Sequence, residues 1–191
     1  MPDFFSAIFG RTPGHDERPA AEPGHDGAEA PMVRYRAALV TDMQRGHATA
    51  SAHMRALLDA CRTRNVDTAI ACMRQFGDDF RQFGLTRSVH LYPYLRWALG
   101  QDRTATVQFE SVYRDIERST LLIEAILTDY LNSPWDSDRR RRFVHVVVRL
   151  ASLFSRAVRL ETSVLLPLYL PPGQYRYVTG MPALDFVPAG P

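Results

Sequence analysis

The sequence contains no lysine: all 23 basic side chains in its 191 residues are arginine. A GC-rich genome produces this pattern through codon usage. The arginines face 21 carboxylates, leaving a net charge of +2. So small an excess excludes a chain held to nucleic acid or to a membrane by bulk charge. Cysteine is nearly absent. Cys61 and Cys72, the two present, are too few for the disulfide framework of a small secreted domain. With no paired histidine nearby they also lack zinc-site spacing, so both are expected as small core residues in a reduced compartment. No apolar run approaches the roughly 20 residues of a transmembrane helix. The opening MPDFFSAIFGR has an acidic third residue and too short an apolar stretch for a secretory signal, and a cytoplasmic location is expected. There is no glycine-rich phosphate loop and no Ser/His/Asp or Cys/His grouping in a recognisable setting. Neither an enzymatic activity nor a cofactor is therefore expected.

What is present divides into three parts. Residues 1–31 begin with Phe4, Phe5, Ile8 and Phe9, which share one face at helical spacing and form a candidate partner-binding patch. A Pro-, Gly- and charge-rich stretch follows, and such a composition predicts a flexible linker. Within it Pro13-Gly14-His15-Asp16 returns as Pro23-Gly24-His25-Asp26, a loose chelating pattern that nothing preorganises. Residues 32–171 carry helical periodicity throughout. One stripe runs Leu39, Met43, Gly46, Ala50, His53, Leu57, Cys61. A second helix, capped near Asp67, carries Ile70, Met73, Phe76, Phe80, Phe83, Val89 and Tyr92. A third, from about Thr104 to Leu131, carries Phe109, Tyr113, Ile116, Leu121, Ile123, Leu127 and Tyr130. The fourth begins near Asp136 with Val144, Val148, Leu150, Phe154, Val158, Leu165 and Leu168. Four long helices with short connections predict an all-α, antiparallel up-down-up-down four-helix bundle. Residues 172–191 read as an extended Pro/Gly-rich tail, either a strap over the bundle or an exposed recognition segment.

The second and fourth helices echo one another. His90-Leu91-Tyr92-Pro93-Tyr94-Leu95 is matched by Val164-Leu165-Leu166-Pro167-Leu168-Tyr169-Leu170. A proline costs about 3 kcal/mol inside a helix, so its matched placement needs a local reason. On these segments and the four-helix pattern, the chain resembles the hemerythrin-like (HHE cation-binding) family over about residues 35–170. That family's helix pairs carry a His-x-x-x-Glu element with a proline six residues after the Glu, and the resemblance implies inward His and carboxylate ligands for a di-iron centre. Counted back from Pro93, Phe83 stands at the family's His position and Arg87 at its Glu position. Counted back from Pro167, Ala157 stands at the second His position, and Glu161 matches the second Glu. His47 is the match for the leading His, with His53 as the other choice. The third helix has no His, and Glu117 and Glu124 are the oxygen donors taken from it. The resemblance thus implies a degenerate member with its metal site lost, His47 and Glu161 being remnants. It also suggests that an internal Arg87–Glu161 ion pair replaces the metal. There is a second likeness, to the regulator-of-sigma-D family. It rests on His90-Leu91-Tyr92-Pro93-Tyr94 and Leu160-Glu161, and implies a bundle acting through a partner.

The run Arg139-Arg140-Arg141-Arg142 opens the fourth helix, where the helix dipole disfavours cations. It reads either as a contact for an acidic partner or as a solvated helix start. The function expected is a non-catalytic regulatory or protein-interaction module in a bacterial cytoplasm, with no cofactor and a regulator or a transcription or secretion component as partner. The alternative is an iron-binding oxygen or redox sensor using a reduced ligand set around His47, Glu161 and third-helix carboxylates.

Overall fold

The computed structural model describes residues 33–175 except Gln101, and every described element is helical. The 1–31 segment and residues 176–191 lie outside it. In chain order the elements are α1 (Leu39–Arg62), α2 (Val66–Thr86), a π-helical turn (Arg87–Leu91), α3 (Tyr92–Leu99), α4 (Arg103–Asn132), α5 (Ser137–Leu160), a second π turn (Glu161–Leu165), α6 (Leu166–Leu168) and a short 3-10 turn (Pro172–Gln174). Because α2 continues through its π turn into α3, and α5 into α6, the chain forms four long helices. No described helix is long and apolar enough to cross a membrane.

Side-chain caps set the helix starts. Asn65, Asp102 and Asp136 accept from the backbone N–H groups of Thr68, Ala105 and Arg139 at 3.1, 3.0 and 2.7 Å, satisfying donors that a helix start leaves orphaned. The second helix therefore begins on Asn65 rather than near Asp67. Val146-Val147-Val148, which favours strand locally, lies inside α5.

Two apolar clusters fill the interior. One gathers Leu39, Met43, Tyr94, Leu95, Phe109 and Leu165; the other gathers Met54, Leu57, Phe76, Phe80, Leu127 and Phe154. The buried stripe of α1 runs Leu39, Met43, His47, Ala50, Met54, Leu57, Cys61, so His47 and Met54 are inside where Gly46 and His53 were expected. Both registers keep three- and four-residue spacing. Packing chooses between them: His47 and Met54 are buried while Gly46 and His53 are only partly so, although Gly46 still lies against Phe83, where a Cβ would stand 3.0 Å from the ring. Val89, Leu121, Val144 and Val148, expected inside, are about half exposed, and Phe143 and Val147 take the inner positions of α5.

Contacts between helices are specific. His53 meets Asp79 across α1 and α2, Arg81 meets Glu124 across α2 and α4, and Arg156 meets Asp115 across α5 and α4. His47 packs on Phe83 further along the first pair.

Candidate functional site: a buried Arg–Glu–His triad between the helix pairs

The matched prolines explain the two π turns. Proline lacks a backbone N–H, and its ring clashes with the carbonyl four residues back. Ahead of Pro93, the N–H of Tyr92 reaches back five residues to the carbonyl of Arg87; ahead of Pro167, Leu166 does the same to Glu161. Each helix is thus widened by one residue just before its proline, a form of π-bulge that often marks functional sites. Each widened turn begins on a charged residue, and both charges point inward. Arg87 is 2% exposed and Glu161 is 0% exposed.

These two residues pair at 2.5 Å, Arg87 Nη1 donating to Glu161 Oε1. The other carboxylate oxygen lies 2.8 Å from His47 Nε2. A carboxylate held by a guanidinium only accepts, so Nε2 carries the proton of this hydrogen bond. The guanidinium is enclosed as well as paired: its carbon stands 4.7 Å from the centre of the Phe83 ring and 5.4 Å from that of Phe80, within cation–π range. Nη2 comes within 3.5 Å of Thr120 Oγ1. Phe83 also meets His47 edge-on at 4.6 Å. Burial disfavours the Arg87 cation, but Glu161 and Tyr92 outweigh it and hold its pKa above the ordinary value. Burial likewise pushes the Tyr92 phenol well up, against the lowering effect of Arg87.

Four of the five core positions singled out in the sequence, His47, Phe83, Arg87 and Glu161, are therefore in mutual contact. Ala157, the fifth, is buried in the same apolar cluster as Phe83. The third-helix carboxylates do not join them: Glu117 accepts from Tyr113 at 3.2 Å and Glu124 pairs with Arg81 at 3.1 Å. His53 pairs with Asp79 at 2.5 Å on the partly exposed side of α1. Among the described residues, no group of three or more His, Cys, Asp or Glu side chains is placed to hold a metal ion. Phe4, Phe5 and Phe9, with the two His-Asp repeats, lie outside the described residues.

The arginine run does not act as a unit. Arg139 is folded inward, pairing with Asp129 at 2.9 Å and standing 4.7 Å over the Tyr130 ring. Arg141 pairs with Asp138 of its own turn, Arg142 donates weakly to the carbonyl of Asp138, and Arg140 is exposed.

Sequence reasoning passed over a tyrosine clasp. Tyr35 stacks on Tyr169 at 5.1 Å, Tyr94 donates to the Leu170 carbonyl at 2.5 Å, and Tyr175 donates to the Leu168 carbonyl at 2.6 Å. The signal available was the density of tyrosine near both prolines and in residues 172–175. Tyr175, 6% exposed, thus packs the start of the tail back on the helices.

Comparison with known families, with proteins of described function and with solved structures finds no match. The geometry is then the whole basis for a functional reading. Glu161 has no exposed surface and both oxygens engaged, so it is not placed to act as an acid, a base or a nucleophile toward an outside substrate. What the triad can do is lock the two helix pairs in one register.

Proposed function

We propose that the chain is a non-catalytic regulatory or protein-interaction module, built as a hemerythrin-like antiparallel up-down-up-down bundle in which an Arg–Glu ion pair with a hydrogen-bonded histidine stands where metal ligands would be. The observation that carries this reading is the position of Arg87. A guanidinium occupies the interior beside the His47 and Glu161 side chains, and a fixed cation there opposes a second, metallic one. The antiparallel arrangement is supported by the order of contacts: residues 47 and 53 of α1 meet 83 and 79 of α2. Exposed apolar side chains on the outer faces and the aromatic-rich ends of the sequence support action through a partner.

The close approach of His47 to Glu161 favours a second reading, an iron-binding oxygen or redox sensor with a reduced ligand set. Iron analysis of anaerobically purified protein after Fe(II) addition separates the two. Sub-stoichiometric iron is expected, unchanged in His47→Ala. One or two irons per chain, lost in both His47→Ala and Glu161→Ala, would overturn the regulatory reading. Capture of a transcription or secretion component by the full chain, reduced on removing residues 1–30 or 171–191, is the positive arm.

A further inference from the structure

The positive charge of the described chain is concentrated on one helix. Residues 33–175 hold 20 arginines against 14 carboxylates, a net +6, and α5 alone holds seven arginines against one aspartate, also +6. By contrast α4 holds three arginines against five carboxylates. Among the described residues Arg140, Arg149 and Arg159 of α5 make no ion pair, whereas Arg139, Arg141 and Arg156 do. Between the arginines the same helix exposes apolar surface: Val144 is 47% exposed and Val148 52%. An open groove runs alongside, between α5 and α1. Leu58 of α1 with Val148 and Ala151 of α5 makes it apolar, and Ser155, Arg156 and Arg159 continue it toward the end of α5.

We propose that this α1–α5 groove is the partner-binding surface, and that its occupant is an acidic amphipathic helix presented by another protein. The inference rests on the reading of the molecule as an interaction module and adds the place and chemistry of the contact. Val144, Val148, Ser155 and Arg159 recur at four- and seven-residue intervals along α5, so they share the one helix face that an incoming helix would meet. Unpaired arginines beside that strip favour carboxylates on the incoming helix and disfavour cations. A phosphate backbone needs only the cations, so an apolar groove between them favours a protein partner. A lipid surface takes a continuous apolar face, whereas Ser152 and Ser155 interrupt the apolar residues of this groove.

The test uses the full chain and a labelled synthetic helix of about sixteen residues, one face leucine and the other glutamate. Its counterpart has lysine for every glutamate. Fluorescence anisotropy is expected to show the acidic helix binding roughly tenfold more tightly than the basic one, with the difference shrinking as salt is raised. Val148→Asp and Arg159→Glu are each expected to weaken the acidic helix about tenfold. Both sites are exposed, so circular dichroism should match the parent. Equal binding of the two peptides overturns the proposal, as does undiminished binding by both variants. Tighter binding of single-stranded oligothymidine or of phosphatidylserine vesicles than of the peptide also overturns it. A natural protein partner captured equally by the full chain and by Val148→Asp would sink the groove but spare the interaction-module reading, whereas stoichiometric iron on His47 and Glu161 would sink that reading itself.

Discussion

Glu161 shows how much depends on single side chains in a buried polar site. Its two oxygens satisfy Arg87 and His47, so Glu161→Ala leaves the Arg87 cation buried without a counter-charge. Such losses cost about 3–5 kcal/mol, whereas replacing both partners by apolar residues of similar size is often neutral or stabilising. Urea unfolding of Glu161→Leu, Arg87→Met and the double variant should show large single losses and recovery in the double. Additive losses would mean the pair is not coupled. The cysteines make a second test at this scale. Both are free and buried, and burial, helped by Cys72, raises the Cys61 thiol pKa. The thiolate is the reactive form, so at neutral pH iodoacetamide should label Cys61 only as fast as the protein unfolds. Rapid labelling of the native protein would contradict this placement.

At the scale of the element, caps and prolines decide where helices begin and change pitch. Asn65→Ala removes the oxygen that holds the Thr68 N–H and should cost about 1 kcal/mol, measured by thermal unfolding. Asp136 caps α5, and its hydrogen bond from the Arg139 backbone lowers its carboxyl pKa below the ordinary 3.8. A depressed folded pKa means that its contribution is present above pH 3.8 and is lost as pH falls through the folded value. Asp136→Asn, still a good cap but not titratable, should therefore flatten this part of the acid limb. An unchanged acid profile would show that the cap does not titrate with folding. The starts near Thr104 and Asp136 were legible in the sequence, whereas the cap expected near Asp67 proved to be Asn65. The π turns were not legible. Prolines at 93 and 167 announced an irregularity, but only the packed helices show it to be an added residue, which moves Arg87 and Leu91 inward and Val89 outward.

At the scale of the whole molecule, the tyrosine clasp joins the first described residues to the last. The Tyr169 hydroxyl accepts from the Arg36 N–H at 2.8 Å, and the Tyr175 hydroxyl accepts from the Leu170 N–H at 3.2 Å. Tyr175→Ala removes a buried ring and two hydrogen bonds. A loss of about 3 kcal/mol corresponds to roughly 6–12 °C in Tm for a chain of this size. Burial pushes the Tyr175 hydroxyl up to about 12 from its ordinary 10.0. For an acid whose folded pKa is raised, the stabilisation is intact below the unfolded value and declines as pH rises toward the folded one. Stability should therefore fall between about pH 10 and 12, less steeply in Tyr175→Phe; identical alkaline limbs would remove Tyr175 from the account.

Counting back from Pro93 and Pro167 on the family resemblance singled out Phe83, Arg87, Ala157 and Glu161, and the residue pattern alone established the helical class, four long helices and their approximate ends. Those properties follow from periodicity and turn chemistry, which act over a few residues. Helix packing settled the register of α1, because Gly46 and His53 or His47 and Met54 complete the stripe equally well until the neighbouring helices bury His47 and Met54. It also decided that Arg87 and Glu161, 74 positions apart, meet with His47, since a buried ion pair exists only when separate helices bring both charges out of water together. The apolar and arginine surface of α5 belongs to the same class. Val144 and Val148 look like core in one dimension, and only packing through Phe143 and Val147 turns them outward.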